Sequence, residues 1–570
     1  MRKPAIFILG ISALPLAQKL KVALGGKVHA PHCVAGHDVG YTKATQQLAV
    51  LFKAGHPIIG LCASGILIRA IGPHLTDKSE EAPVVAVAED GSSAVPLLGG
   101  HRGANKLARQ IAELCGGHAA ITTASDVRFG SAFDEPPEGH VLANPEDMKS
   151  ATAHKLAGGK VTIEVTERNM TGGATHLVYH PRTLAIGVGC ERHAPPEEVI
   201  SLVETVLARN NLAAASIACI ASIDVKADEP AIHAVARRFN VPARFFTAGE
   251  LAAETLRLKN PSDIVAKEVG APGVAEAAAL AAAGPESDLL VEKTKNKRAT
   301  CAIARAPTPL LSLRGRERGT LHVVGTGPGG SDWRSPAACT ALEAATDWVG
   351  YNLYLDLVAD LKDNQTEHRF PLGGEEDRVR HAINLAKEGK QVALVCSGDA
   401  GIYAMAALVY EVIDLEPCRI EVNIIPGISA FQAAAAKAGA MIGHDFCCIS
   451  LSDLLTPWEV IEQRVKAAAA GDFVIAFYNP RSFERRDQLE RAFAILAEHR
   501  PADTPVVIAS SLGRPEEKMK IVPFSAFNPE DVDMLTLVML GSSQSKSFKR
   551  GDGQTYAYTP RGYARKREQA

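Results

Sequence analysis

Apolar runs of strand length recur along the chain, with stretches of helical spacing between them. Residues 5–9, 57–61, 84–87 and 119–123 open the series; 183–189, 217–221 and 243–246 continue it; 321–324, 348–351, 392–396 and 420–425 follow. Runs this short and continuously apolar predict strands buried on both faces. Helices are predicted over 197–209, 230–239 and the alanine-rich 271–284. Strand alternating with helix predicts an α/β multidomain fold with parallel sheets.

The chain is organised around residues 391–439. The run 392–396 stops at Ser397-Gly398-Asp399-Ala400-Gly401, and 420–425 stops at Pro426-Gly427, with Ser429 placed to cap the next helix. Two strand-to-helix turns of small residues make one crevice, where open α/β sheets bind ligands.

Composition divides the chain into an α/β domain over 1–127, a small loop-rich insert over 128–180 and a compact βαβα domain over 181–290. A charged linker is predicted over 291–318, then the two halves of a C-terminal region over 319–430 and 431–548, and a flexible basic and aromatic tail over 549–570. The 570 residues are 46% hydrophobic and 22% charged, with a formal net charge of −3, which argues against extended nucleic-acid binding. Eleven scattered cysteines without a C-x-x-C pair argue for reduced thiols and a cytoplasmic location. Met1-Arg2-Lys3-Pro4 starts no signal-peptide pattern, and no apolar run of about 18 residues is present to span a membrane. Cys190, His193, Asp224 and Asp228 match no closed ligand spacing, so no protein-bound metal is expected.

Two N-terminal turns carry candidate chemistry. Residues 60–69 place a small polar elbow before a helix bearing Arg69, and 97–108 place three glycines, His101, Arg102 and Asn105 at another helix start. Backbone N–H groups with Arg102 and Lys106 suit carboxylates, and His101 suits a general base near neutral pH. A glycine-lined turn with solvated charges is the plain alternative. Together with Glu89-Asp90-Gly91 and Ile121-Thr122-Thr123-Ala124, these pieces resemble the N-terminal domain of the cobalt-precorrin-5A hydrolase family. The resemblance implies water-driven opening of a ring-attached lactone with release of acetaldehyde. His101 is the first candidate to activate that water and Glu89 the second, with Arg69, Arg102 and Asn105 toward substrate. Residues 187–190 and 222–229 are similar to the same family's C-terminal domain. That family usually has two basic residues and a glycine after the cysteine, where this chain has Glu191, Arg192 and His193.

In the C-terminal region, Gly325-Thr326-Gly327-Pro328-Gly329-Gly330 satisfies G-x-G-x-x-G. Pro328 removes a cradle N–H, the next helix is predicted only from Ser335-Pro336, and the strand near 348–351 ends without an acid for a ribose. A nicotinamide enzyme is therefore the remote alternative. These glycines, with Ser397–Tyr403, Pro426–Ala430 and Tyr478-Asn479-Pro480-Arg481-Ser482, resemble the tetrapyrrole methylase superfamily, and more narrowly its precorrin-3B C(17)-methyltransferases. The resemblance implies a two-domain fold with S-adenosylmethionine in the cleft. Pro328, Ser397, Gly398, Asp399, Ile402, Ser429, Ala430 and Tyr478 would line the donor site, Arg481 would serve catalysis, and Arg514 would meet a carboxylate-rich tetrapyrrole. It also implies a homodimer. The expected activity is methylation at carbon 17 with ring contraction, fused to a hydrolase-like region; the alternative is a non-catalytic tetrapyrrole-binding N-terminal half.

Overall fold

The computed structural model describes residues 3–75, 81–122, 136–482 and 486–563. The chain forms two compact units, one of Met1–Leu184, Leu207–Ala218 and Ala306–Ser312, the other of Ala185–Val206, Cys219–Arg305 and Leu313–Ala570.

The first unit holds a seven-stranded sheet in the order Val39–Tyr41, Lys27–Pro31, Ala5–Ile8, Ile58–Leu61, Val84–Val87, Ser93–Leu98, His118–Ala119. Its central strands are parallel and apolar on both faces, as their unbroken runs predict. Of the strand expected over 119–123, only His118–Ala119 pairs, and Thr123 lies outside the described residues. The insert needs correcting, because its described part is not mainly loop. It carries the helix Met148–Leu156 and a three-stranded sheet of His140–Leu142, His176–Pro181 and Thr162–Val165. Its centre is polar, which hides it from a hydrophobicity pattern: buried Asn144 accepts from Val178 N (3.1 Å) and donates to His176 O (3.1 Å) and Asp147 (3.0 Å).

In the second unit, a five-stranded sheet runs Ala243–Phe246, Ile217–Ile223, Leu184–Cys190, Ala299–Arg305, Asp288–Lys295. The last two strands run through the first part of the expected linker over 291–318 and pair antiparallel. Asp288–Lys295 is the sheet edge, where its charges stay in water; Ala299–Arg305 buries Cys301 to Ala304 completely. The all-buried helix Ala275–Ala283 packs on this ladder.

The C-terminal region starts with a parallel sheet ordered Thr366–Phe370, Asp347–Tyr351, Gln391–Cys396, Thr320–Gly325, Glu421–Ile425. Both neighbours of Thr320–Gly325 are strands that come later in the chain, so the order switches direction beside it. The helix Ala430–Ala438 then enters a second, mixed sheet of Phe446–Ser450, Val474–Tyr478, Thr536–Leu540, Pro505–Ser510 and Lys518–Pro523. Alanines 433 to 435 let that helix lie close on Val474, Ala476, Val507 and Ala509. The described part of the expected flexible tail is ordered into the fold: Thr555–Tyr558 pairs with Lys546–Lys549 and Gly439–Ala440, anchored by fully buried Ala557. Among the described residues no helix is long and apolar enough to cross a membrane.

Candidate active site at the strand ends of the C-terminal region

Three strand ends meet at the switch point. Gly327 and Gly398 exchange backbone hydrogen bonds (Gly398 N to Gly327 O, 2.7 Å; Gly327 N to Gly398 O, 3.1 Å). Asp399 joins the second and third turns, its carboxylate accepting Gly401 N (2.8 Å) and Gly427 N (3.0 Å). A Cβ on Gly427 would stand 2.1 Å from Gly398 O, and one on Gly325 2.7 Å from Gly427 N, so packing of turn on turn demands both glycines. Gly398 differs. At φ +67° its missing Cβ points to nothing closer than Ala430 N at 3.9 Å. Beside it Ser429 is 2% exposed, caps the helix Ala430–Ala438 in a capping box and donates its N–H to Gln432 (3.0 Å).

The second sheet closes on this edge. Gly330 N donates to Gly513 O (2.6 Å), and Gly329 lies so close that a Cβ would be 2.3 Å from Gly513. Pro328 is buried in that seam. Tyr403 donates to Cys448 O (2.9 Å) and its ring lies 5.1 Å from that of Tyr478, whose hydroxyl accepts Phe431 N (3.3 Å). Burial pushes the Tyr478 phenol up, against the opposing pull of the Phe431 hydrogen bond. Ile402 packs on the same apolar cluster.

The structure thus brings Pro328, Ser397 to Asp399, Ile402, Ser429, Ala430 and Tyr478 to one place. Arg481 is used otherwise: it bonds Pro529 O (2.7 Å) and pairs with Glu530, its side chain only 14% exposed. That ion pair removes it from the free cations expected at the site. Arg514 is half-buried with Nε unpartnered, as is Nε of buried Arg378. Burial raises the Tyr354 phenol, and the charges of Arg514 and Arg378 oppose the rise. Sequence reading missed Tyr354 and Arg378, since neither lies in a glycine turn; the strand end Gly350-Tyr351 before Tyr354 was the available signal.

In the first unit, Glu89 is exposed at a strand end and accepts Ser12 Oγ (2.9 Å). Burial, then the Glu89 charge, pushes the nearby Cys62 thiol to about 11. Arg69 is exposed and bonds its own helix at Gly65 O (3.3 Å), and Asn105 is buried under the turn at Gly100. His101 and Arg102 belong to the short turn Gly100–Arg102; the side chain of His101 lies outside the described residues.

A parallel sheet whose strand ends meet at its switch point, followed by a second mixed sheet, defines a two-domain α/β fold. The chain belongs to the tetrapyrrole (corrin/porphyrin) methylases, whose family model matches residues 320–527. Models described as cobalamin synthesis G N-terminal and cobalamin synthesis G C-terminus match 46–126 and 184–304. The chain is 43% identical over 249 residues to a precorrin-3B C(17)-methyltransferase of Sinorhizobium sp, covering 43% of this chain and 98% of the relative. It is 45% identical over 243 residues to a probable cobalt-factor III C(17)-methyltransferase of Salmonella typhimurium, covering 43% and 99%. The crystal structure of the methyltransferase CobJ aligns at 40% identity and TM-score 0.40, over 42% of this chain and 100% of that one.

Proposed function

We propose that the C-terminal half methylates carbon 17 of precorrin-3B, or of its cobalt form, with contraction of the ring to precorrin-4 in cobalamin biosynthesis. S-adenosylmethionine would supply an electrophilic methyl group on a sulfonium. The observation that carries the reading is the meeting of three glycine turns at the switch point of the parallel sheet, Gly327 bonded to Gly398 and Asp399 bonded to Gly427. Backbone groups of residues 397–399 and 429–430 hold the donor there, with Tyr403 and Tyr478 as an aromatic wall. Asp399 acts through the turns it joins, since both its oxygens are taken. Fixing donor and acceptor in line is the main demand of such a displacement. Arg514 supplies local positive charge for ring carboxylates.

The N-terminal region is hydrolase-like, and Glu89, bonded by Ser12, is the candidate after His101 for lactone opening. A second reading makes that region a holding module without chemistry. It is favoured by the loop 222–229, whose Asp228 is tied to Arg192 (2.6 Å) and Arg419 (2.9 Å). The protein is expected to be cytoplasmic and a homodimer through the methyltransferase half. Calorimetric titration with S-adenosylhomocysteine tests the first assignment: micromolar binding is expected, and its absence in folded protein returns the nicotinamide alternative. For the second, the intact chain is assayed for acetaldehyde from cobalt-precorrin-5A beside Glu89→Gln; no release by the intact chain selects the holding module.

A further inference from the structure

The hairpin of Lys546–Lys549 and Thr555–Tyr558 presents a face that the methylase site does not use. Its register pairs Lys546 with Tyr558 and Phe548 with Tyr556, so these side chains share one face, while Ala557 anchors the other face in the core. Phe548 is 48% exposed, with its ring 6.1 Å from Tyr556 at 32° and 5.9 Å from Tyr558 edge-on. Arg550 lies 5.4 Å above the Tyr556 ring. The face lines an open hollow of about 730 Å³, within the range of pockets for small organic ligands. Among the described residues, Lys546, Lys549 and Arg550 have no carboxylate partner.

We infer that this aromatic and basic hairpin is a second binding site, distinct from the methyl-donor crevice, for a planar conjugated polycarboxylate. Rings stack on a conjugated plane, while an arginine and a lysine at its rim meet carboxylates. The choice of ligand rests on the tetrapyrrole reading above, and the site would hold the macrocycle as it arrives or leaves. Pairing of the free edge strand with a second copy is disfavoured by its own sequence. Lys546 and Lys549 lie on that strand, and lysines at such edges oppose strand addition.

Uroporphyrin III, a stable planar octacarboxylate, is the probe, titrated by fluorescence quenching into the intact chain saturated with S-adenosylhomocysteine. The double variant Phe548→Ala and Arg550→Ala is expected to lose at least about tenfold in affinity for one binding event, with S-adenosylhomocysteine binding unchanged. Lys546→Glu, a change at an exposed position, is expected to weaken the same event. Unchanged porphyrin binding in both variants overturns the proposal. So does a fall in molar mass by light scattering in the Phe548 variant, which makes the face a contact between copies. Porphyrin binding needs no methyl donor, so failure of the intact chain to bind S-adenosylhomocysteine sinks the methylase reading while leaving this titration interpretable.

Discussion

Two carboxyl edges of the second unit use similar residues to opposite ends. At the methylase edge, Asp399 is spent on backbone N–H groups, and the Nε of Arg514 is left without a partner. At the edge of the preceding domain, the charged groups bind one another. Arg192 bonds Asp228 and Val225 O (both 2.6 Å), Arg419 takes the other Asp228 oxygen, and Arg316 pairs with Asp224 (3.2 Å). Fully buried Glu229 accepts His193 N (3.0 Å). An edge whose polar groups are unspent can take a ligand; one whose charges close on each other serves to hold domains together.

The largest effects should separate the two kinds of glycine at the open edge. Gly427→Ala forces a Cβ against backbone, an overpacking that costs about 1–3 kcal/mol and should lower the thermal midpoint and donor binding together. Gly398→Ala meets no atom of the protein closer than 3.9 Å, so its stability cost is about 1–2 kcal/mol for the left-handed backbone. Its methyl nevertheless enters the crevice, and S-adenosylhomocysteine affinity should fall by at least about 100-fold, or ~2.7 kcal/mol. Wild-type affinity in Gly398→Ala would remove the donor from this crevice.

Next comes Asp399→Ala, which leaves the N–H groups of Gly401 and Gly427 unpaired. Such a loss costs about 1–3 kcal/mol, roughly 5- to 150-fold in donor affinity if the turns shape the crevice. Asp399→Asn retains one acceptor and should lie between alanine and wild type. Equal calorimetric constants for all three would show that the joined turns do not shape the site.

These two edges also mark what the sequence could tell. The open edge was legible because turns of Gly, Ser and Asp after apolar runs have few structural alternatives. The closed edge was not, because charge pairing such as Asp228 with Arg419 joins positions far apart in the chain and leaves no local pattern. The departure at Cys190-Glu191-Arg192-His193 was visible but not its reason. His193 takes φ +59° where a glycine is usual in the family, and its N–H is held by Glu229. Most of the strand Asp288–Lys295, from residue 291 on, read as linker for a related cause: its charges are those of a sheet edge, and an edge strand looks polar.

Smaller effects are expected at the closed edge. Arg419 is half-exposed, so Arg419→Ala should cost about 0–1 kcal/mol and leave methyl transfer unchanged. Burial acts to raise the Asp228 carboxyl, but the hydrogen bonds from Arg192 and Arg419 outweigh it and hold the group below its usual range. A depressed carboxyl contributes stability above its unfolded value near 3.9, and that stability is lost as pH falls through the lower folded value. Thermal midpoints of wild type and Asp228→Asn should therefore differ at pH 7 and converge below about pH 4. A difference that persists at low pH would mean that the edge is not held by charge.

The smallest effect is expected at Cys190, at the end of the strand Leu184–Cys190. Burial pushes its thiol to about 11, with Lys226 the chief opposing charge. At neutral pH almost none is thiolate, and the thiolate is the reactive form. Cys190 should therefore react with iodoacetamide far more slowly at pH 7.5 than exposed Cys33, as read by peptide mass spectrometry. Cys190→Ser should leave both methyl transfer and any acetaldehyde release within about twofold, since a change away from the reacting groups costs little. Rapid alkylation, or loss of acetaldehyde release in the serine variant alone, would make the closed edge reactive and dissolve the contrast with the methylase site.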